Sequence, residues 1–529
     1  MFRFLAQRRT FNSSILIGAF CVYLLLAYNY SFWLQMAAAY PVQLSKLPFL
    51  AAMVLLILSV YYAVFTLFAF KYSLKPIMLF IAAGTMVAAY FMDSYGYIIS
   101  SQTFNNVADT DSREVIDLVS FKLAYYFLFL MIIPSVIIIK SKVTYPTLKR
   151  QLIHLLIAIM LVGLNLALFN KSYISFLRNH KQVRYYLNPL RPVYSLSKYV
   201  VQQLKQTGNT EFNILDPSPS LKAYTGKPRL VVLVVGESDR AANYSLYGYS
   251  RQTNPLLNKT AGVYSFQQVS SCGTETTVSV PCMFSVFKRT DFTQERGRNT
   301  ENVLDLLQKA TVNVLWRDND SGCKNVCDRV TVNDFNSASI QPYCNSFECH
   351  DEVLLHDLQT YIKNTSGDKL IVLHKKGNHG PAYYKRYPQS FEKFIPVCKS
   401  SELQDCADQT IINAYDNIVL YTDYFLHKLI TQLAQDQTHS SAMIYVSDHG
   451  ESLGENGIYL HAMPYWIAPK EQTHIPFIFW ANQDFDLDSE NIRNLQSKAY
   501  SHDNLFHTLL GLFKVQTPVY DRTLDIFGS

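Results

Sequence analysis

Hydrophobic positions fall into two regimes along the chain. Before residue 170 they gather in long uninterrupted runs, at about 13–33, 47–70, 76–92, 121–139 and 152–169. Each is near the ~20 residues that a helix needs to cross hydrocarbon, so five membrane-spanning helices are predicted. From Leu230 the runs shorten to 230–235, 312–316, 370–373, 442–446 and 475–480. Apolar runs of this length, with no polar interruption, are what a sheet covered on both faces buries. Amphipathic stretches at 301–309, 351–363, 411–434 and 502–513 predict helices between them. The second half therefore reads as an α/β layer architecture, a central, mostly parallel sheet covered by helices.

Charges between the long runs orient the first half. Arg3, Arg8 and Arg9 precede the first run, Lys71 and Lys75 separate the second from the third, and Lys140, Lys142, Lys149 and Arg150 separate the fourth from the fifth. Such basic flanks are expected on the cytoplasmic side. The loop at 93–120 carries Asp93, Asp109, Asp111, Glu114 and Asp117 against Arg113 and is expected on the other side. Five crossings from a cytoplasmic N-terminus put everything after Asn170 outside the cytoplasm. The first run is too long for a cleaved signal peptide, and no small-residue cleavage site follows it. The expected domains are a transmembrane domain at 1–170, a joining segment at 171–227 and an outer catalytic domain at 228–529. Within the joining segment, 173–204 mixes Arg178, Lys181, Arg184, Arg191 and Lys198 with Tyr and Leu. That pattern suits a helix lying on a lipid surface and equally a linker helix packed on the soluble domain.

Composition narrows the classes. At 529 residues and 49% hydrophobic content the chain exceeds one ordinary domain. A net charge of +6 is mild and dispersed; it is compatible with an anionic membrane surface and too weak to argue for nucleic acid, for which the sequence carries no motif. Of nine cysteines, Cys21 lies in the first apolar run. The other eight form close pairs, Cys272 with Cys282, Cys323 with Cys327, Cys344 with Cys349 and Cys398 with Cys406. Local disulfides in an oxidising compartment are the simplest reading. A zinc ribbon from Cys323, Cys327, Cys344 and Cys349 is the alternative, although their spacings lack the tight knuckle of such sites.

Four of the expected strands run directly into polar clusters. These are Gly236-Glu237, Arg317-Asp318-Asn319-Asp320, Lys375 to His379, and Ser447-Asp448-His449-Gly450-Glu451. Ligands of open α/β sheets bind at the carboxyl ends of the strands, so these groups are expected on one edge. Glu237, Asp448 and His449 supply two carboxylates and an imidazole, and Thr276 completes a mixed oxygen and nitrogen set for one zinc. Thr276 lies in SSCGTETTVSVPCMFS, a hydroxyl-rich turn entering an apolar segment, where a helix N-terminus would favour a phosphate. A metal on the threonine oxygen would lower its pKa and make it a nucleophile; the plainer alternative for Thr276 is a helix cap. His379 in GNHGP and His461 in YLHAMP are expected to hold a second zinc, or else to bind phosphoryl oxygens and protonate a leaving group. Lys324 would pair with a phosphate as a point charge. His350, His356, His374 and His427 are expected in structural or surface roles.

The stretches VVGESDRAANYSLYGYSRQTNP, SCGTETTVSVPCMFS, LWRDNDSGCKNVCDRV, NHGPAYYKRYP and SDHGESLGENGIYLHAMP are long and specific. Through them the chain resembles the lipid A phosphoethanolamine transferases, the family that includes the mobile colistin-resistance enzymes, and the five-helix first half extends the resemblance over nearly the whole chain. The resemblance implies a multi-pass protein of the Gram-negative inner membrane, with a sulfatase/alkaline-phosphatase-like domain facing the periplasm. It implies zinc ligation by Glu237, Thr276, Asp448 and His449, with His379 and His461 as further site histidines. It also implies phosphoethanolamine contacts at Ser321 and Lys324 and at Asn106, Thr110 and Glu114, whose spacing of four would share one helix face. One departure is Asp320, where members often carry Asn, an added negative charge beside a phosphate site. The implied activity is transfer of phosphoethanolamine from phosphatidylethanolamine to a phosphate of lipid A by a monomer, through a covalent intermediate on Thr276. Rival readings are transfer to a lipopolysaccharide core sugar, a phosphoglycerol transferase or phosphatase of the same superfamily, and a non-catalytic membrane sensor of cationic peptides.

Overall fold

The computed structural model describes residues 10–40, 43–101, 103–104, 120–180, 182–206, 211–335, 339–345 and 348–528. They form two compact units, the first ending at Val201 and the second taking up the chain from Gln202. In the first unit, α1 (Ser13–Ala27) and α2 (Tyr30–Ala39) are bent by 61°. Helices α3 (Leu47–Leu67), α4 (Leu74–Tyr95), α5 (Phe121–Lys140) and α6 (Leu148–Leu168) are each long and apolar enough to span a membrane, and the bent pair makes five if it is one span.

Buried polar groups explain the irregular parts of this unit. A π turn over Phe127–Ile132 interrupts α5 just before Pro134, and the Ile133 N–H reaches back to Leu128 O. Proline has no N–H to offer Leu130 O. The Tyr28 hydroxyl donates there instead, and the Tyr23 hydroxyl donates to Phe129 O at 2.6 Å, as freed carbonyls in an apolar setting require. Asp93, expected in an acidic loop, is a helical residue of α4. Its carboxyl oxygens accept from the Ser31 N–H at 3.0 Å and the Tyr126 hydroxyl at 2.9 Å, so side-chain and backbone partners satisfy them. The stretch 173–204 forms two helices, α7 (Asn170–Asn179) and α8 (Leu190–Gln206), because Pro189 cannot sit in a helix interior and disfavours helical backbone at Asn188. Buried Asn188 exchanges hydrogen bonds with Asn29 at 2.8 and 3.0 Å and donates to Tyr28 O at 2.9 Å, which ties this stretch to the apolar helices.

The second unit is built on seven strands: β1 (Arg229–Gly236), β2 (Val263–Ser265), β3 (Asn313–Asp318), β4 (Thr331–Asp334), β5 (Lys369–His374), β6 (Ser440–Ser447) and β7 (Phe477–Ala481). Their order is β2-β7-β6-β1-β5-β3-β4. Neighbours from β6 to β4 pair in parallel, whereas β7 runs antiparallel to both β6 and β2. Alternate residues of β1 face opposite cores, since side chains alternate along a strand. Val231, Leu233 and Val235 pack with Val280, Phe284 and Leu304, the last from α10 (Val303–Lys309); Leu230, Val232 and Val234 pack with Ile418 and Leu426 of α12 (Asp408–Ala434).

Register aligns the carboxyl ends: Gly236 lies opposite Ser447, Val235 opposite His374, and His374 opposite Asp318. The helix expected at 351–363 is split at Asp357, whose φ is 55°, into a 3-10 turn at Asp351–Leu355 and α11 (Leu358–Asn364). The stretch 502–513 likewise begins as a 3-10 turn, His502–Asn504, before α13 (Leu505–Leu512). All four cysteine pairs close locally, Cys272–Cys282, Cys323–Cys327, Cys344–Cys349 and Cys398–Cys406, and buried Cys21 is free.

Candidate active site and metal centre

Glu237 follows β1 and the Asp448-His449 pair follows β6, so the register that sets Gly236 beside Ser447 brings these side chains together. Thr276 is the first residue of α9 (Thr276–Met283), whose entry is closed by the Cys272–Cys282 bridge. Thr276 Oγ1 donates to Glu237 Oε2 at 2.9 Å and stands 3.4 Å from His449 Nε2. His449 Nε2 is in turn 3.5 Å from Glu237 Oε1 and 3.3 Å from Asp448 Oδ2. His449 Nδ1 lies 2.9 Å from Gly450 O. A carbonyl can only accept, so Nδ1 carries a proton, which leaves Nε2 as the nitrogen that would face a metal.

The cluster fits a divalent metal. Ligand bonds of about 2.1 Å in a tetrahedron give edges of about 3.4 Å, close to the separations above. Among the described residues, Asp448 Oδ2 is buried without a hydrogen-bond partner, a costly state unless a cation faces it. Burial, then the Glu237 carboxylate, pushes the Asp448 carboxyl well above its ordinary range. Burial acts the same way on Glu237, but His449 and then His379 outweigh it and keep that carboxyl well below its range. The expected set Glu237, Thr276, Asp448 and His449 is therefore brought to one point.

His379 and His461 border the same point. His379 Nδ1 is 3.6 Å from Glu237 Oε1 and 3.7 Å from Asp320 Oδ1. The His461 ring lies against His449, tilted by 47° with centroids 4.4 Å apart, and its Nδ1 is 2.8 Å from Glu451 Oε2. The His379 loop is held by Asp351, which accepts from the N–H groups of Lys376 at 2.8 Å and Gly377 at 3.1 Å. A side chain at Gly377 would place its Cβ 2.7 Å from Glu237 O, so the loop's close approach needs glycine.

Ser321 and Lys324 line a cavity of about 290 Å³ with Thr277, Arg298 and Asn302, beside the start of α9. Lys324 Nζ donates to Ser321 O at 2.8 Å and Ser321 Oγ at 2.9 Å, and Ser321 Oγ donates to Asp320 Oδ2 at 3.0 Å. Asn106, Thr110 and Glu114 lie outside the described residues. Sequence reasoning did not single out Glu451, which orients His461, or His502, discussed below. His374, expected in a structural or surface role, is buried and stands at the site edge, paired with Asp318 at 2.9 Å; its position at a strand end was the signal available.

A sulfatase family model matches residues 229–515, and a model described as phosphoethanolamine transferase EptA/EptB matches residues 57–204. The chain is 39% identical to the phosphatidylethanolamine transferase Mcr-2 of Escherichia coli over 98% of each chain. It is also 39% identical to the phosphoethanolamine transferase EptA of Escherichia coli K12, over 100% of this chain and 99% of that protein. Its structure superposes on the integral membrane lipooligosaccharide phosphoethanolamine transferase A of Neisseria meningitidis with a TM-score of 0.94 at 35% identity, covering 98% of this chain and 99% of that one. Matched along both halves, and carrying its histidine and carboxylate cluster on the sheet edge of a sulfatase-type domain, the chain belongs to the phosphoethanolamine transferase family of enzymes.

Proposed function

We propose that this enzyme transfers phosphoethanolamine from phosphatidylethanolamine to a phosphate of lipid A through a covalent intermediate on Thr276, with zinc held by Glu237, Thr276, Asp448 and His449. The observation that carries the reading is Thr276 Oγ1 at 2.9 Å from Glu237 Oε2 and 3.4 Å from His449 Nε2, at the first turn of α9. When bound, zinc lowers the pKa of a hydroxyl and offsets charge on phosphoryl oxygens.

The chain's own groups move the protons. Glu237 Oε2 accepts the Thr276 proton, the threonine oxygen attacks the donor phosphorus, and the bond from phosphorus to diacylglycerol breaks. His461, oriented by Glu451, protonates the leaving oxygen. An oxygen of the lipid A phosphate then attacks the same phosphorus and passes its proton to His461. The bond to Thr276 breaks, and the threonine oxygen recovers its proton from Glu237. In this reading Asn106, Thr110, Glu114, Ser321 and Lys324 contact the phosphoethanolamine group.

Both substrates are lipids, which accounts for the apolar helices. The activities for which Mcr-2 and the Neisseria enzyme are named support the donor and a lipid-borne acceptor. Lys71, Lys75, Lys140 and Lys142 favour a cytoplasmic N-terminus, and four disulfides favour a periplasmic catalytic domain. One chain supplies every ligand, so a monomer suffices. The product's ammonium offsets a phosphate charge and weakens binding of cationic peptides such as polymyxins.

Mass spectrometry of the purified chain incubated with phosphatidylethanolamine tests the reading. The expected result is a phosphoethanolamine adduct on Thr276, absent in Thr276→Ala, together with a phosphoethanolamine increment on lipid A. Turnover with no adduct at Thr276 refutes the covalent step, and an increment on a core sugar, or of phosphoglycerol, refutes the assigned substrates.

A further inference from the structure

Between residues 119 and 210 the chain carries no Asp or Glu, yet its stretch 170–206 holds seven Lys and Arg. Cations that flank membrane helices gather on the cytoplasmic side. In the orientation proposed above this stretch lies on the other side, where its charge needs an anionic partner. Two of the cations are built into one place. A 3-10 turn at Val183–Tyr186 precedes α8. Arg184 Cζ and Arg191 Cζ stand 5.0 and 4.8 Å from the centroid of the same Tyr185 ring. Arg184 Nη2 donates to Tyr185 Oη at 2.9 Å. Arg191 is held by its inner nitrogen, since its Nε donates to Ile99 O at 2.9 Å, where Ser195 Oγ also donates at 2.9 Å. Among the described residues, neither guanidinium pairs with a carboxylate. Burial lowers the Arg191 pKa, and the like charge of Arg184 adds to that effect. Arg191 also stands in the first turn of α8, where no acidic residue offsets the positive helix end.

We propose that Arg184 and Arg191 clamp a phosphate of the anionic acceptor lipid. Naming the acceptor as the ligand rests on the function proposed above and gives that lipid a docking site. Phosphatidylethanolamine is zwitterionic and carries no net charge, whereas the phosphates of lipid A make it an anion. An uncompensated cationic stretch therefore discriminates for the acceptor and against the donor. Arginine suits the task, because its planar fork meets two phosphate oxygens at once. Leu190, Val193 and Tyr194 of the same helix are exposed, as a helix lying at a lipid surface requires of its apolar face, and they offer a seat for acyl chains. Lipid A carries more than one phosphate, so one can be held while another reacts.

Native mass spectrometry of the full-length chain in detergent measures retained lipid without turnover. Lipid A, phosphatidylglycerol and phosphatidylethanolamine are each added to wild type, Arg184→Gln and the double variant Arg184→Gln, Arg191→Gln. Wild type should retain lipid A in preference to both phospholipids. Its affinity for lipid A should fall about 10-fold in the single variant and about 100-fold in the double, the loss expected for one and two hydrogen bonds between charged groups. Arg184 is exposed and bonds to its neighbour Tyr185, so the single variant should keep the wild-type thermal transition even if the double variant does not. Equal retention of lipid A by wild type and Arg184→Gln overturns the clamp, and retention of phosphatidylglycerol as tightly as lipid A overturns the acceptor as its ligand. The Thr276 adduct formed from phosphatidylethanolamine should appear at the wild-type rate in Arg184→Gln while KM for lipid A rises; an adduct slowed as much as the full transfer would assign the arginines to the donor and overturn the inference. Absence of the adduct in wild type would instead refute the covalent step and leave the lipid A preference to stand by itself.

Discussion

His502 clamps the two segments that carry the site, and replacing it should change how stability depends on pH. Its Nδ1 accepts from the Cys272 N–H at 3.0 Å, and its Nε2 donates to Ser447 O at 2.9 Å. Cys272 leads to Thr276 and Ser447 precedes Asp448, so one buried ring joins the two segments that carry these residues. Both bonds require the neutral imidazole, and burial pushes its pKa from 6.5 down to about 4. A group with a depressed folded-state pKa adds stability that is present above the unfolded value and is lost as pH falls toward the folded value. Here the loss runs between pH 6.5 and about 4, and at about 1.4 kcal/mol per unit it reaches about 2 kcal/mol by pH 5. For a unit of this size that is about 4 °C in Tm. His502→Gln tests the sign, because an amide can donate to Ser447 O and accept from the Cys272 N–H without titrating. The assay is thermal unfolding of the detergent-solubilised chain, followed by fluorescence at pH 8 and pH 5. His350, His474 and His507 are also depressed by burial, but they contribute equally to both proteins. Wild type should therefore lose about 4 °C more than His502→Gln over that interval. Parallel losses would refute the reasoning, and with it the neutral clamp.

Two further substitutions probe one unit each. Gly377→Ala would set a Cβ 2.7 Å from Glu237 O and 3.0 Å from Glu237 N at a φ of +49°; displacing Glu237 should cut transfer about 100-fold while the fold persists, as steady-state rates and circular dichroism would report. In the first unit, Asp93→Ala strands the donors of Ser31 and Tyr126 and should destabilise the helices by about 2–3 kcal/mol, read as a lowered transition in detergent; an unchanged transition would mean that solvent replaces the carboxylate.

What the sequence made legible follows from what periodicity encodes. An apolar run such as LVVLVV reports burial on both faces, and the structure sets it at the sheet centre. The run at 475–480 reports the same burial, yet β7 is antiparallel, because direction depends on the connection from Gly450 to Pro476 and not on the strand's own residues. The residues expected to ligate or attack stand where apolar runs stop: Glu237 after β1, Asp448 and His449 after β6, and Thr276 at a helix start. The residues that hold them were not legible in that way. Glu451 reaches His461, His502 reaches Cys272 and Ser447, and Asp351 reaches Lys376 and Gly377 through side chains whose aim no one-dimensional pattern records. Asp351 shows why such supports also distort local predictions. Its carboxylate caps the His379 loop, so the turn that carries it is fixed by the loop, and the helix expected from 351 begins only at Leu358. Departures from local pattern therefore mark supports of the site, and the break at Asp357 was as informative about function as the strand ends.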